Sequence, residues 1–165
     1  MVTVRHLLAD EVRTYLEIHH ASVRGLAADH YPQRVIEEWA GPITEQLVER
    51  VAANADHEIR LIAELDGVPV GIGAIVPHKS ELRACYVASS AARKGVGTAL
   101  VRAIERIALE HEIKRLHLVA SVNSELFYVA MGFDVVERGS TLKTKGRSDP
   151  ASLALDRRAH SVHNL

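Results

Sequence analysis

Apolar residues recur along this chain with two spacings, one that fits helices and one that fits strands. Spacings of three and four residues predict helices at 10–23, 43–53 and 100–109. Asp10 is a candidate N-cap for the first helix. Pro32 is expected to lie in the first turn of a further helix that ends near Trp39. Alternating or continuous apolar runs predict strands at 2–7, 58–65, 68–76, 82–87, 116–120, 134–138 and 151–157.

The order of these elements predicts one mixed α/β domain over residues 1–158, followed by a flexible tail at 159–165. Asp66 and Gly67 are the strongest hairpin signal, because this pair favours the tight turn between antiparallel strands. Three antiparallel strands are expected around that hairpin, the third starting at Lys79 or Ser80. A right-handed parallel strand–helix–strand unit is expected next, and a turn at 146–150 separates the last two strands.

The helix predicted at 100–109 has one apolar face and one charged face. The face expected to be buried carries Leu100, Val101, Ile104, Ile107 and Ala108. The face expected to be exposed carries Arg102, Glu105, Arg106 and Glu110. This pattern predicts that the helix packs along its length against the sheet.

A basic turn with two glycines precedes that helix and is the most informative segment of the chain. The run Arg93-Lys-Gly-Val-Gly97 follows a predicted strand and leads into the helix. The first backbone N–H groups of a helix are unpaired and carry a positive partial charge, so they favour anions. Gly95 and Gly97 allow close approach to the backbone, and Arg93 and Lys94 add full positive charges. Such a turn favours a phosphate or pyrophosphate group.

Two common phosphate-binding patterns do not fit this turn. The dinucleotide fingerprint needs a third glycine where Leu100 stands, and the nucleotide P-loop pattern G-x-x-x-x-G-K-[ST] is absent. The segment 92–97 instead resembles the Q/R-x-x-G-x-G/A turn of the GCN5-related N-acetyltransferases, which binds the pyrophosphate of acetyl-CoA. Ala92 departs from that pattern, which removes one side chain but none of the backbone amides.

Two flanking segments carry the same resemblance, so that the motifs span roughly residues 81–133. Segment 81–87 is similar to the family's fourth strand, and the fifth strand and following helix are matched at Leu116, Leu118, Ala120, Ser121, Asn123, Phe127, Tyr128, Gly132 and Phe133. The chain is identified by these motifs as a member of the superfamily. The resemblance implies a mixed twisted central sheet flanked by helices, with a parallel βαβ unit at about 82–120. Its two parallel strands splay apart to admit the pantetheine arm.

The resemblance also implies acetyl-CoA as cosubstrate. The cofactor contacts it assigns are Cys85, Tyr86, Val87, Ala92, Arg93, Lys94, Gly95, Val96, Gly97, Thr98, Asn123 and Phe127. The backbone of the first three is expected to bind the acetyl carbonyl and pantetheine, since a fixed N–H donor stabilises a developing oxyanion. Asn123 is expected to bond the pantetheine arm, to cap the following helix, or both.

Two catalytic residues follow from the resemblance. Tyr128 matches the family tyrosine that protonates the departing CoA thiolate, a role open to a phenol of pKa ~10. Glu81 stands where histone-modifying members carry the base that deprotonates the acceptor, directly or through water; lesser candidates are Glu64, His78 and His117. A covalent acetyl-cysteine at Cys85 is disfavoured, because a lone cysteine in an apolar strand is usually a small buried residue.

The expected function is transfer of acetyl to a primary amine by direct attack in a ternary complex. An acyl-CoA-binding sensor without catalysis and a transferase of a longer acyl group stay open as alternatives. The acceptor is a small-molecule or peptide amine that no motif identifies. Segment 21–39 is expected to wall its pocket, where Arg24, Tyr31 and Trp39 are candidate contacts. A homodimer also stays open.

Composition excludes several other classes of protein. An apolar fraction of 47% over 165 residues suits one core, and a formal charge of −1 argues against a nucleic-acid-binding surface. The sequence has no run of eighteen apolar residues that would cross a membrane, and a single cysteine suits the cytoplasm. The ten histidines do not predict a metal site, because Leu61 and Arg115 replace the second histidine of an H-E-x-x-H motif.

Overall fold

A computed structural model of the chain describes residues 1–138, 143–144, 147–148 and 152–158. The tail expected at 159–165 lies outside the described residues. The helices within them are α1 (Val12–Ser22), α2 (Gln33–Trp39), α3 (Glu45–Ala53), α4 (Val96–Glu110) and α5 (Glu125–Ala130). The strands are β1 (Val2–His6), β2 (Ile59–Leu65), β3 (Val68–Val76), β4 (Glu81–Val87), β5 (Arg115–Ser121), β6 (Asp134–Arg138), β7 (Lys143–Thr144), β8 (Arg147–Ser148) and β9 (Ser152–Arg158).

Seven strands form one mixed sheet in the order β1-β2-β3-β4-β5-β9-β6. Strands β4 and β5 are parallel and joined through α4, whereas the other neighbouring pairs are antiparallel. The predicted fold class is therefore confirmed, including its single parallel strand–helix–strand unit. None of the described helices is both long and apolar enough to cross a membrane.

Two glycines in β3 allow α4 to pack closely on the sheet. A Cβ atom at Gly71 would lie 2.7 Å from Cγ1 of Val96, and one at Gly73 would lie 3.1 Å from Cδ1 of Ile104. Ile72 lies between them and packs with Tyr15 of α1. Because successive strand residues point to opposite faces, α4 and α1 cover opposite sides of the sheet.

Several local predictions are confirmed. Asp66 and Gly67 both have positive φ, +51° and +83°, as the two-residue hairpin turn between β2 and β3 requires. The apolar face of α4 is buried as expected, with Leu100 and Ile104 fully enclosed. The helix begins at Val96, four residues before the predicted start, because Gly95 at φ +83° ends the preceding turn.

Other local predictions are wrong at the ends of elements. Asp10 does not cap α1; instead the Glu11 carboxylate accepts from the backbone N–H of Leu8 at 2.9 Å. Pro32 occupies the N-cap position of α2 rather than its first turn. Strand β4 begins at Glu81, because 77–79 form a 3-10 turn.

Two further predictions differ from the structure because of tertiary contacts. The side chain of Glu105 is only 23% exposed, because it forms an ion pair with Arg157 of β9. Within the turn predicted at 146–150, residues Arg147 and Ser148 pair with β7 as a two-stranded sheet, and the rest lies outside the described residues.

Candidate active site

The parallel strands β4 and β5 meet only where they begin. Glu81 is paired with His117, whose N–H donates to the carbonyl of Ser80 at 3.0 Å. No further ladder pair joins the two strands among the described residues. Each strand is paired on its other side, β4 with β3 and β5 with β9. The strands therefore part towards their C-terminal ends and leave the β5-facing backbone edge of β4 without a strand partner.

A β-bulge in β4 decides which of its side chains face each side of the sheet. Ala74 is opposite Ala84 while Ile75 is opposite Leu82, so that Arg83 is an extra residue. After the bulge, Cys85 packs with the α4 side of the core and Tyr86 packs with the α1 side. Consecutive residues at the open edge thus contact different halves of the molecule.

The start of α4 forms an uncapped anion site beside the cleft. The first helical hydrogen bond runs from the N–H of Ala99 to the carbonyl of Gly95, so the N–H groups at 96–98 precede the helical ladder. No side chain caps this end, and no heavy atom lies within 4 Å of the Cβ position at Gly95. Arg93 and Lys94 are exposed next to it. This arrangement suits a pyrophosphate group.

Phe127 connects this anion site to α5. A Cβ atom at Gly97 would lie 3.1 Å from Cζ of Phe127, so the glycine allows the ring to rest on the first turn of α4. The Phe127 ring in turn lies 5.1 Å from the ring of Tyr128, edge to face. Gly97, Phe127 and the predicted acid Tyr128 are therefore in one packed group.

Tyr128 is buried against Cys85. Its side chain is only 5% exposed, and its hydroxyl is hydrogen-bonded to the Cys85 thiol. Burial raises the pKa of Tyr128 well above its usual value, so the phenol is protonated at neutral pH. Burial also raises the pKa of Cys85 to about 12, although the bond from Tyr128 opposes this shift. A protonated thiol is a poor nucleophile.

Glu81 is engaged in an ion pair across the bulge. Both of its carboxylate oxygens accept from Arg83 at 2.8 Å, and Arg83 also contacts Asp56 at 2.8 Å and Glu58 at 3.1 Å. Burial alone would raise the pKa of Glu81, but the bonds from Arg83 outweigh it and the pKa lies below its usual value. The carboxylate is therefore ionised but weakly basic, and its role as a base stays a prediction.

The lesser base candidates lie at different distances from the cleft. His117 is the register partner of Glu81 and lies at the cleft's closed end. His78 belongs to the 3-10 turn before β4. Glu64 lies on β2 and accepts from Arg5 at 2.8 Å and 3.1 Å, far from β5 in the strand order.

Asn123 presents a buried acceptor without a partner. Its amide nitrogen donates to the carbonyl of Leu26 over a long 3.5 Å, while its Oδ1 is buried and meets no donor among the described residues. The N-cap of α5 is Ser124, so the alternative that Asn123 caps this helix is wrong. A buried oxygen of this kind suits an incoming N–H group such as a pantetheine amide.

The segment after α1 lies beside the residues that follow β5. Residues Val23–Ala27 form a π-helical turn, a rare feature that is frequent at functional sites. Tyr31 packs against Trp39 with ring centroids 4.7 Å apart, and its hydroxyl accepts from the N–H of Val122 at 3.1 Å. The guanidinium of Arg24 donates to the carbonyl of Ala40.

His19 was not among the predicted site residues, yet its ring lies 4.5 Å from that of Tyr86 in an edge-to-face contact. The sequence pattern could have predicted this position, because a spacing of four residues places His19 on the same helix face as Tyr15 and Val23, which are both buried. Among the described residues, no three side chains of metal-binding type come together.

A mixed sheet with one splayed parallel pair, next to an uncapped basic helix start, is the architecture of the acyltransferases that the motifs resemble. A profile of the acetyltransferase (GNAT) family matches residues 17–133. The chain belongs to that family. No curated protein matches the sequence.

Solved structures agree with this assignment. A GCN5-related N-acetyltransferase from Rhodopseudomonas palustris is 26% identical, with a TM-score of 0.83 and 94% of each chain covered. The PaiA N-acetyltransferase from Thermoplasma acidophilum, solved with coenzyme A, is 21% identical, with a TM-score of 0.75 over 96% of this chain and 99% of that one. A phosphinothricin acetyltransferase from Sinorhizobium meliloti, solved with AcCoA, is 17% identical, with a TM-score of 0.70 over 96% and 88%. The latter two show the shared fold.

Proposed function

We propose that this protein transfers an acetyl group from acetyl-CoA to a primary amine by direct attack in a ternary complex. The observation that carries the proposal is the continuity of the site. The uncapped start of α4 lies against Val87 at the end of β4 and against Phe127 of α5, and the neighbouring Tyr128 is buried beside Cys85 of β4. Two relatives of the same fold were solved with coenzyme A or AcCoA, which supports the choice of cosubstrate.

Binding would use backbone groups at two places. The N–H groups at 96–98 hold the pyrophosphate, with Arg93 and Lys94 adding charge at the exposed side. The free edge of β4 accepts the pantetheine arm in the manner of an added strand, because its N–H and C=O groups on that side have no strand partner. The Oδ1 atom of Asn123 accepts an amide N–H of the same arm.

Three roles follow for the chemical step. The thioester supplies an activated acetyl group, and an N–H group of β4 stabilises the charge that develops on its carbonyl oxygen. Tyr128 donates its proton to the departing thiolate, since burial keeps the phenol protonated. The acceptor's proton leaves through water towards Glu81, whose carboxylate is ionised but held by Arg83.

The acceptor is proposed to be a small-molecule or peptide amine that enters from the side of α1 and α2. The walls on this side include Tyr86, which joins the cluster of Tyr31 and Trp39. Aromatic walls offer apolar surface and can also face an ammonium group, as amine substrates require. A panel of arylalkylamines, polyamines, amino acids, peptides and aminoglycosides, assayed for thiol release from acetyl-CoA, identifies the class.

Two glycines provide a matched test of the cofactor site. Gly95 and Gly67 share φ +83°, and neither has a heavy atom within 4 Å of its Cβ position. Alanine at either position therefore brings the same backbone strain, about 1–2 kcal/mol for a left-handed residue. We expect similar losses of melting temperature in both variants, but weaker CoA binding only in Gly95→Ala, as measured by calorimetry.

The wild-type result decides the proposal itself. CoA should raise the melting temperature, because a ligand that binds only the folded state stabilises it. The absence of a shift at millimolar CoA contradicts the proposal. A shift without thiol release for any amine would instead indicate an acyl-CoA sensor, and release only with longer acyl donors would indicate a different acyl group.

A further inference from the structure

Two long-range hydrogen bonds connect the acceptor side of the cleft to its cofactor side. The hydroxyl of Tyr31, in the connection between α1 and α2, accepts from the N–H of Val122 at 3.1 Å. The carbonyl of Leu26, in the same connection, accepts from the amide of Asn123 at 3.5 Å. The pairs are 91 and 97 residues apart in sequence, so that two distant segments meet beside the open ends of β4 and β5.

Tyr31 is fixed on its own side of this contact. It is 7% exposed and packs in a cluster with Val23, Ile36 and Ala40. Its ring also lies 4.7 Å from that of Trp39. A tyrosine confined in this way has few conformations, so its hydroxyl presents an acceptor at a defined point in space. Val122 itself is 43% exposed and has little packing of its own to hold it there.

The contact has a consequence for the next residue. With the Val122 backbone held, the Asn123 amide nitrogen is directed to the Leu26 carbonyl and its Oδ1 faces the other way, buried and without a donor. A buried acceptor left unpaired costs free energy, which a ligand N–H recovers when it binds. The free acceptor is therefore a binding group that the two segments hold ready.

We propose that Tyr31 is a positioning residue for the cosubstrate, which acts by orienting Asn123 towards the pantetheine arm. This inference rests on the proposed function, because it requires that CoA occupies the cleft. It adds a residue of the acceptor wall to the determinants of cofactor affinity. It also implies that a substitution on the acceptor side lowers the affinity for CoA only through contacts with its pantetheine half.

The test compares a ligand that has pantetheine with one that lacks it. Tyr31→Phe keeps the ring and its packing but removes the acceptor for Val122. Affinity for CoA should fall about fivefold, the size expected for one neutral hydrogen bond, while affinity for adenosine 3′,5′-bisphosphate should be unchanged. The matched control is Tyr15→Phe, a tyrosine 8% exposed in the separate cluster on α1, which should leave both affinities as in the wild type.

A second variant removes the same hydrogen bond from the other side. Val122 begins a 3-10 turn after Ser121, whose φ of −70° and ψ of 152° suit a residue before proline. Val122→Pro deletes the N–H group and replaces a side chain that is 43% exposed, so it should reproduce the selective loss of CoA affinity. This variant keeps the proposal open to refutation even if Tyr31→Phe folds poorly.

Combination with Asn123→Ala identifies the route of the effect. If Tyr31 acts through Asn123, adding Tyr31→Phe to Asn123→Ala causes no further loss of CoA affinity. Additive losses, or equal losses for CoA and the bisphosphate, overturn the inference and indicate a general packing role. Failure of wild-type protein to bind CoA overturns the proposed function as well, whereas CoA binding with no acetyl transfer and a selective Tyr31→Phe effect leaves this inference standing.

Discussion

Gly71 lies beneath the start of α4, and its replacement by alanine should reduce stability and CoA affinity together. The new Cβ atom would lie 2.7 Å from Cγ1 of Val96, 3.1 Å from Cδ1 of Leu100 and 3.3 Å from Cβ of Ala63. Carbon atoms pack best at about 3.5–4.0 Å, so the first turn of α4 must move outward by about 1 Å. Val96 is 1% exposed and has no solvent-facing space into which it can turn.

The expected cost of this overpacking is about 1–3 kcal/mol in the free energy of unfolding. Alanine restricts the unfolded chain more than glycine does, which offsets about 0.5–1 kcal/mol of this cost. A net loss centred on about 1 kcal/mol is expected. For a chain of this size, each kcal/mol corresponds to about 2–4 °C in melting temperature. Because the same helical turn presents the amides of the anion site, CoA affinity should fall as well.

Chemical denaturation and calorimetric titration with CoA measure both effects. Val96→Ala should lose about 1.6 kcal/mol for two buried methyl groups when made alone. In the Gly71→Ala background it also removes the clashing atom, so the double variant should be more stable than the sum of the single changes predicts, by about 1 kcal/mol. The reasoning is refuted if Gly71→Ala is as stable as the wild type, or if the two losses simply add.

Two further predictions concern the mechanism and the stability of the first helix. Tyr128→Phe should leave stability and acetyl-CoA affinity nearly unchanged while turnover falls ~10²-fold, and full turnover with chemistry rate-limiting would assign the acid elsewhere. Cys85→Ala should retain most activity, and the wild type should show no acetyl adduct by intact-mass measurement. The bond from Arg5 lowers the pKa of Glu11 from 4.5 to about 2, so its stabilisation is present above pH 4.5 and is lost as the pH falls towards 2. Glu11→Gln should therefore unfold more easily at pH 7, and its deficit relative to the wild type should shrink across that range; a constant deficit would contradict the assignment.

Local signals in the sequence determined the elements and the place of the cofactor site. The Asp66-Gly67 turn, the apolar face of α4 and the glycines at 95 and 97 each act through residues within a few positions. Backbone preference and helical spacing depend on such near neighbours, so they can be read without knowing the fold. The motifs over 81–133 added the family, which the profile match over 17–133 confirmed.

Tertiary structure decided how that site is arranged. The separation of β4 from β5 after one pair, the bulge at Arg83 and the capture of Glu81 by Arg83 depend on strands that meet only in the folded chain. Arg83 is itself held by Asp56 and Glu58, which precede it by 27 and 25 residues. The contact of Tyr31 with Val122 spans 91 residues and leaves no periodic pattern in either segment. Contacts of this kind follow from the packing of whole elements, because a single side chain's partner depends on where every intervening element has been placed.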